Sequence, residues 1–225
     1  ASTRFAGMIA GSGGFTKTGD GTLTLSGANT YAGVTNVLGG TLANSGEIAG
    51  DVLVAAGFVN AGSVAGELGV LSGGRADNQV GGKIAGAVTV NAGGTLFNAG
   101  NIADAATNEG TLGNSGSIAG LVTNTGMLTN GGTLAGFANA AGADAVNTGM
   151  ISGPVSNAGA LTNSGSISGR VTNAGALVST GTLDGGLINS RTAQIAGVLN
   201  GAVTNNGSIT LTGATSGIDA FEQDG

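Results

Sequence analysis

The sequence predicts an all-β fold, a parallel β-helix (β-solenoid) whose triangular coils each take about 16–17 residues. Three observations lead there. Glycine supplies 48 of the 225 residues, and each interior glycine weakens a helix by roughly 0.8–1 kcal/mol relative to alanine, which argues against a helical protein. Hydrophobic residues make up 40% and charged ones only 8%, the reverse of a disordered chain. A core therefore forms, and with 3% aromatics it is built from thin layers of Ile, Leu, Val and Ala. The third observation is self-similarity at a short fixed period, the signature of stacked repeats.

Residues 1–43 are the first element and differ in text from the rest. Phe5 to Leu42 read FAGMIAGSGGFTKTGDGTLTLSGANTYAGVTNVLGGTL. The alternating residues Gly7, Ile9, Gly11, Gly13, Lys17, Gly19, Gly21, Leu23, Leu25, Gly27 and Asn29, then Thr30, Tyr31, Gly33, Thr35, Gly40 and Leu42, resemble the autotransporter-associated β-strand repeat of Gram-negative autotransporter passengers. Phe15 stands where that repeat usually has Leu. The resemblance implies a right-handed β-helical passenger, exported by a signal sequence and passed through a C-terminal outer-membrane barrel. It also implies display on the cell surface, anchored to the outer membrane, or release as a secreted chain. Residues 1–43 are then expected to form the first coils.

Residues 44–213 are the second element. Asn114–Thr129 read NSGSIAGLVTNTGMLT, Asn147–Thr162 NTGMISGPVSNAGALT and Asn163–Val178 NSGSISGRVTNAGALV, while the unit from Asn130 to Val146 carries one more residue. The period is thus 16, occasionally 17 or 18. Earlier units start at Asn44, Asn60 and Asn98, and later ones fade from Ser179 through Asn205. Within a unit Asn114, Gly116, Ile118, Gly120, Val122, Asn124, Gly126 and Leu128 take every second position, so they point inward together, as alternate residues of a strand do. The large apolar members Ile118, Val122, Leu128 and Leu134 are 4, 6 and 6 residues apart, one per side of a triangle. Stacked at about 4.8 Å, roughly a dozen such layers make a single continuous rod on the order of 60 Å long. Asn114, Asn130, Asn147 and Asn163 are expected to form one column, and Asn124, Asn157, Asn173, Asn189 and Asn205 a second, as structural amide ladders. Residues 214–225 form a tail that has lost the repeat and is expected to fray.

The charge balance bears on partners. Six basic against twelve acidic residues, net −6, offer no footprint for phosphate, so no nucleic-acid partner is expected. No run of 18 apolar residues occurs, so no transmembrane helix is expected. The start at Ala1, without an initiating Met, and the lack of barrel-like strands after Gly213 suggest an internal passenger fragment.

Catalytic material is sparse. With no His and no Cys, imidazole and thiolate sites cannot be assembled; no cofactor or metal is expected, and the chain is read as not an enzyme. Asp51 and Glu67, sixteen residues apart, stack on adjacent coils and could bind calcium or act as an acid/base pair, although solvated surface charge is the ordinary reading of such residues. Gly19-Asp20-Gly21 is too short for a calcium roll, and Gly11-Ser12-Gly13-Gly14 lacks the Lys-Ser/Thr of a phosphate loop. Aligned units put Asp51, Glu67, Ala87, Ala105, Leu121, Phe137, Pro154, Arg170 and Gly186 at one outward position. Leu121 and Phe137, flanked by Pro154 and Arg170, are expected to form an exposed apolar strip with one cation, a candidate contact site.

Three function classes compete. Adhesion through the lateral surface, to host cells, extracellular matrix or neighbouring bacteria, leads, with a non-binding stalk as its alternative. Side-by-side or end-to-end self-association is compatible with either. A carbohydrate-active β-helix would need an acidic and aromatic groove that one Tyr and no Trp support poorly. An ice- or mineral-binding solenoid would need a continuous Thr-x-Thr face, and Thr16–Thr18, Thr22–Thr24, Thr123–Thr125 and Thr210–Thr212 are too sporadic for one.

Overall fold

The computed structural model describes residues 2–212 and 217–223. The chain divides into two compact units, residues 1–120 and 121–225, and the described residues of each are strands and bends of a parallel β-solenoid with no helix.

In the first unit the alternation of inward and outward residues closes a three-sided coil. A four-residue strand such as Thr41–Asn44 makes one side, a two-residue strand such as Glu47–Ile48 the second, and a three-residue strand such as Val52–Val54 the third. Each side pairs in parallel with its counterpart one coil on. Leu42 faces Phe58, Ile48 faces Val64 and Val52 faces Leu68, and all six side chains are buried. Burial of such a side chain stabilises by about 1.5–3 kcal/mol, so columns of like residues on each side hold the coils together. The second unit repeats the plan with strands such as Ala160–Asn163, Ser166–Ile167 and Val171–Asn173. There Leu161 faces Leu177, Ile167 faces Leu183 and Val171 faces Leu187.

Coil length is set at the bends. Leu96 and its partner Leu112 are 16 residues apart, Phe58 and Ala76 are 18 apart, and Ala76 and Leu96 are 20 apart. The period of 16 to 18 read from the sequence covers the first two and is too narrow for the third. The longer ones insert two residues at a bend, each insertion turning on a glycine at positive φ: Gly73 (78°), Gly81 (87°) and Gly93 (79°), a region that L side chains avoid. At the bend after the Asn column the constraint is space instead. A Cβ on Gly165 would lie 2.0 Å from the carbonyl oxygen of Gly149 one coil earlier.

The N-terminal repeat supplies coils with their own fasteners. Lys17 is buried, and its ammonium donates to the carbonyls of Thr18 (2.9 Å), Gly19 (2.7 Å) and Gly39 (2.9 Å), so a charge is held by three acceptors on two coils. Tyr31 is buried with its hydroxyl against Thr35 and its ring 6.2 Å from that of Phe15. Burial pushes the Tyr31 phenol above its ordinary pKa, and the Thr35 contact offsets part of the rise. At the other end Phe221–Gln223 is a strand, pairing Val203 with Phe221 and Asn205 with Gln223. The tail, expected to fray, therefore adds a side to the stack over these residues; its residues 214–216 and 224–225 lie outside the described residues.

Candidate contact surface

Two amide columns define the inside of the bends. In the first unit Asn44 donates to Asn60 (2.8 Å), Asn60 to Asn78 (2.8 Å), Asn78 to Asn98 (2.7 Å) and Asn98 to Asn114 (2.7 Å). In the second unit Asn130 donates to Asn147 (2.7 Å), Asn147 to Asn163 (2.7 Å) and Asn163 to the Ser179 hydroxyl (3.0 Å). The other column of that unit runs Asn124, Asn139, Asn157, Asn173, Asn189, Asn205 and Gln223 with steps of 2.7–2.9 Å. Each amide also donates to backbone carbonyls near the bend, as Asn157 does to Gly159 (3.2 Å) and Ala176 (3.0 Å). Buried amides satisfied in this way are structural. Asn139 is absent from the column as read by period alone. The signal that would have found it is Gly142, whose positive φ of 82° marks a two-residue insertion after Asn139.

The outward corner before the third side is where varied side chains collect. In the first unit the backbone N–H of Thr35 bonds the carbonyl of Asp51, Val52 that of Glu67, Leu68 that of Ala87 and Val88 that of Ala105. Val34, Asp51, Glu67, Ala87 and Ala105 therefore stack. Asp51 and Glu67 are exposed, and one Asp51 carboxylate oxygen accepts the backbone N–H of Glu67 at 2.8 Å. The Asp51 carboxylate thus caps the next coil instead of facing Glu67 across a reacting bond. Among the described residues no group of three His, Cys, Asp or Glu is placed to hold a metal ion.

In the second unit the expected strip is corrected at one position. Phe137 is 1% exposed and pairs with inward Val155. Its N–H bonds the carbonyl of Pro154, as the N–H of Val155 bonds Arg170, so the corner residue of that coil is Gly136. The physical reason is a residue missing from the bend: Leu134 to Phe137 spans three positions where Ile151 to Val155 spans four. The two-residue insertion after Asn139 masks the loss and leaves the coil one residue longer than 16. Leu121, Pro154 and Arg170 are exposed, and the Leu121 side chain leans over Gly136, 3.4 Å from where a Cβ would stand. The corner presents Leu121, Pro154 and Arg170 without the aromatic ring.

The four-residue side of the first unit carries a second exposed group. Arg75 pairs with Asp77 at 2.8 Å and its guanidinium sits 4.5 Å from the centre of the Phe97 ring, while the same ring leans on Gly113. Its charges and ring are engaged with one another. No helix among the described residues is long and apolar enough to cross a membrane.

Residues 15–43 match the passenger-associated-transport-repeat. The chain is also similar to the adhesin BmaC autotransporter of Brucella suis biovar 1 (strain 1330), 46% identical over an alignment of 76 residues that covers 31% of this chain and 2% of that protein. The chain thus spans a small fraction of the length of that relative. No solved structure matches.

Proposed function

Taking the chain as an autotransporter passenger repeat protein, we propose that it acts in adhesion through the lateral surface of its coils, displayed at the cell surface or secreted. The partners are host cells, extracellular matrix or neighbouring bacteria, and the parent chain carries a C-terminal outer-membrane barrel. The observation that carries this reading is the likeness to a relative named an adhesin. The build of the coils agrees with it: aliphatic and amide residues recur on the inside, while outward positions vary, at the corner through Asp51, Glu67, Leu121, Pro154 and Arg170. Many small contacts spread over such a side need no active site, and exposed apolar groups beside a charge are ordinary contact chemistry.

The test is binding of the purified chain, coated on beads, to host cells and matrix proteins. Saturable binding that falls at least three-fold in a Leu121→Ser, Arg170→Ser double variant supports the reading and these contacts. A folded chain that binds none of these surfaces turns the segment into a stalk that presents a functional region elsewhere in the parent protein.

A further inference from the structure

On the third side of the first unit the outward column runs Asn36, Leu53, Gly69 and Thr89. Gly69 adds no side chain to it, and the Leu53 side chain leans over that position, 2.6 Å from where a Cβ would stand. Beside them lies a groove of about 240 Å³ whose floor is Gly69 and Leu53, with Val34, Asp51 and Glu67 along the corner wall and Leu71 on the opposite one. Leu53 is 37% exposed although aliphatic. Asp51 gives one oxygen to the Glu67 N–H; its other oxygen and the Glu67 carboxylate have no hydrogen bond or ion pair among the described residues. No Lys or Arg lines the groove.

An apolar slot with two carboxylates on one wall suits a side chain that is aliphatic along its stem and cationic at its tip. We propose that the groove is a subsite for a lysine side chain presented by a partner polypeptide. Lysine fits better than arginine because a guanidinium fork would engage Glu67 alone, Asp51 having one oxygen already taken by the Glu67 N–H. A point-like ammonium needs one oxygen from each acid. The inference deepens the adhesion reading, on which it rests for the partner being a protein surface.

The probe is the blocked tripeptide acetyl-Gly-Lys-Gly-amide, titrated into the isotopically labelled chain and followed by backbone amide shifts. Shifts should concentrate at Leu53, Glu67, Leu68 and Gly69. Replacing the probe's lysine by norleucine, which keeps the stem and removes the charge, or by diaminopropionate, which keeps the charge and shortens the stem, should weaken binding at least five-fold. Gly69→Leu, which fills the slot, and Glu67→Gln, which leaves the Asp51 cap in place, should each weaken it to a similar degree while the remaining amide spectrum stays unchanged. Equal binding of the diaminopropionate probe, or full binding by Gly69→Leu, reduces the effect to diffuse charge attraction and overturns the proposal. Cell adhesion without lysine-probe shifts overturns the subsite and leaves adhesion standing; probe shifts without cell adhesion do the reverse.

Discussion

Asn173 shows what one ladder residue does. Its amide nitrogen donates to Asn189 (2.7 Å), to the carbonyl of Thr192 (2.8 Å) and to that of Gly175 (3.1 Å), and its oxygen accepts from Asn157 (2.7 Å). An amide has two N–H donors and one oxygen with two lone pairs, so the residue is close to saturated while fully buried. Removing it strands several buried acceptors at once, each worth about 1–3 kcal/mol when left without a partner. Asn173→Ala should lower the free energy of unfolding by about 2–4 kcal/mol, read as a shift of the urea midpoint. Its exposed neighbour Thr172, changed to Ala, should stay within about 0.5 kcal/mol. Equal effects of the two would show that the ladder contributes nothing beyond the backbone pairing.

At the scale of an element, the bend between the second and third sides decides which residues are available for contact. Leu121 is 51% exposed and Phe137 is 1% exposed, although both follow an Ala-Gly pair in the sequence. Phe137→Ser should therefore cost at least the about 3–5 kcal/mol of a buried Phe→Ala change, and Leu121→Ser about 0.5 kcal/mol or less. Thermal unfolding of the two variants side by side reads this directly, and a stable Phe137→Ser protein would return that residue to the surface. The alternation along each strand was legible because it follows from the pleat alone. The bend was not: a lost residue before Phe137 and two added after Asn139 sum to the single extra residue seen in the sequence. Only pairing with Val155 and Asn157 separates them.

At the scale of the whole molecule, the coils within each unit touch their neighbours, and the stability of a unit is a sum of coil and interface contributions. Such a stack tolerates loss of a full period but not of a fraction. Deleting residues 148–163, one period given the separation of 16 between Asn147 and Asn163, removes a coil and lets Asn147 meet Ser179. The β-type circular dichroism and a single unfolding transition should persist. Deleting residues 148–155 alone turns aliphatic positions against bends and should abolish cooperative unfolding of the second unit. If both deletions behave alike, register is not what holds the coils. The same nearest-neighbour logic explains why the outside can vary: Asp51, Glu67, Pro154 and Arg170 occupy equivalent corners, where a side chain meets solvent and the backbone makes the bond.

The sequence by itself determined the all-β solenoid, the parallel stacking, the inward aliphatic set and the two Asn columns, because a period-2 alternation nested in a repeat admits few other folds. The family resemblance at residues 15–43 was legible there too. Tertiary structure alone decided the length of individual coils, the burial of Phe137, the place of Asn139, the strand at Phe221–Gln223 and the groove over Gly69. Each of these depends on which residue of one coil lies beside which residue of the next. A local pattern cannot encode that once insertions at one bend offset deletions at another.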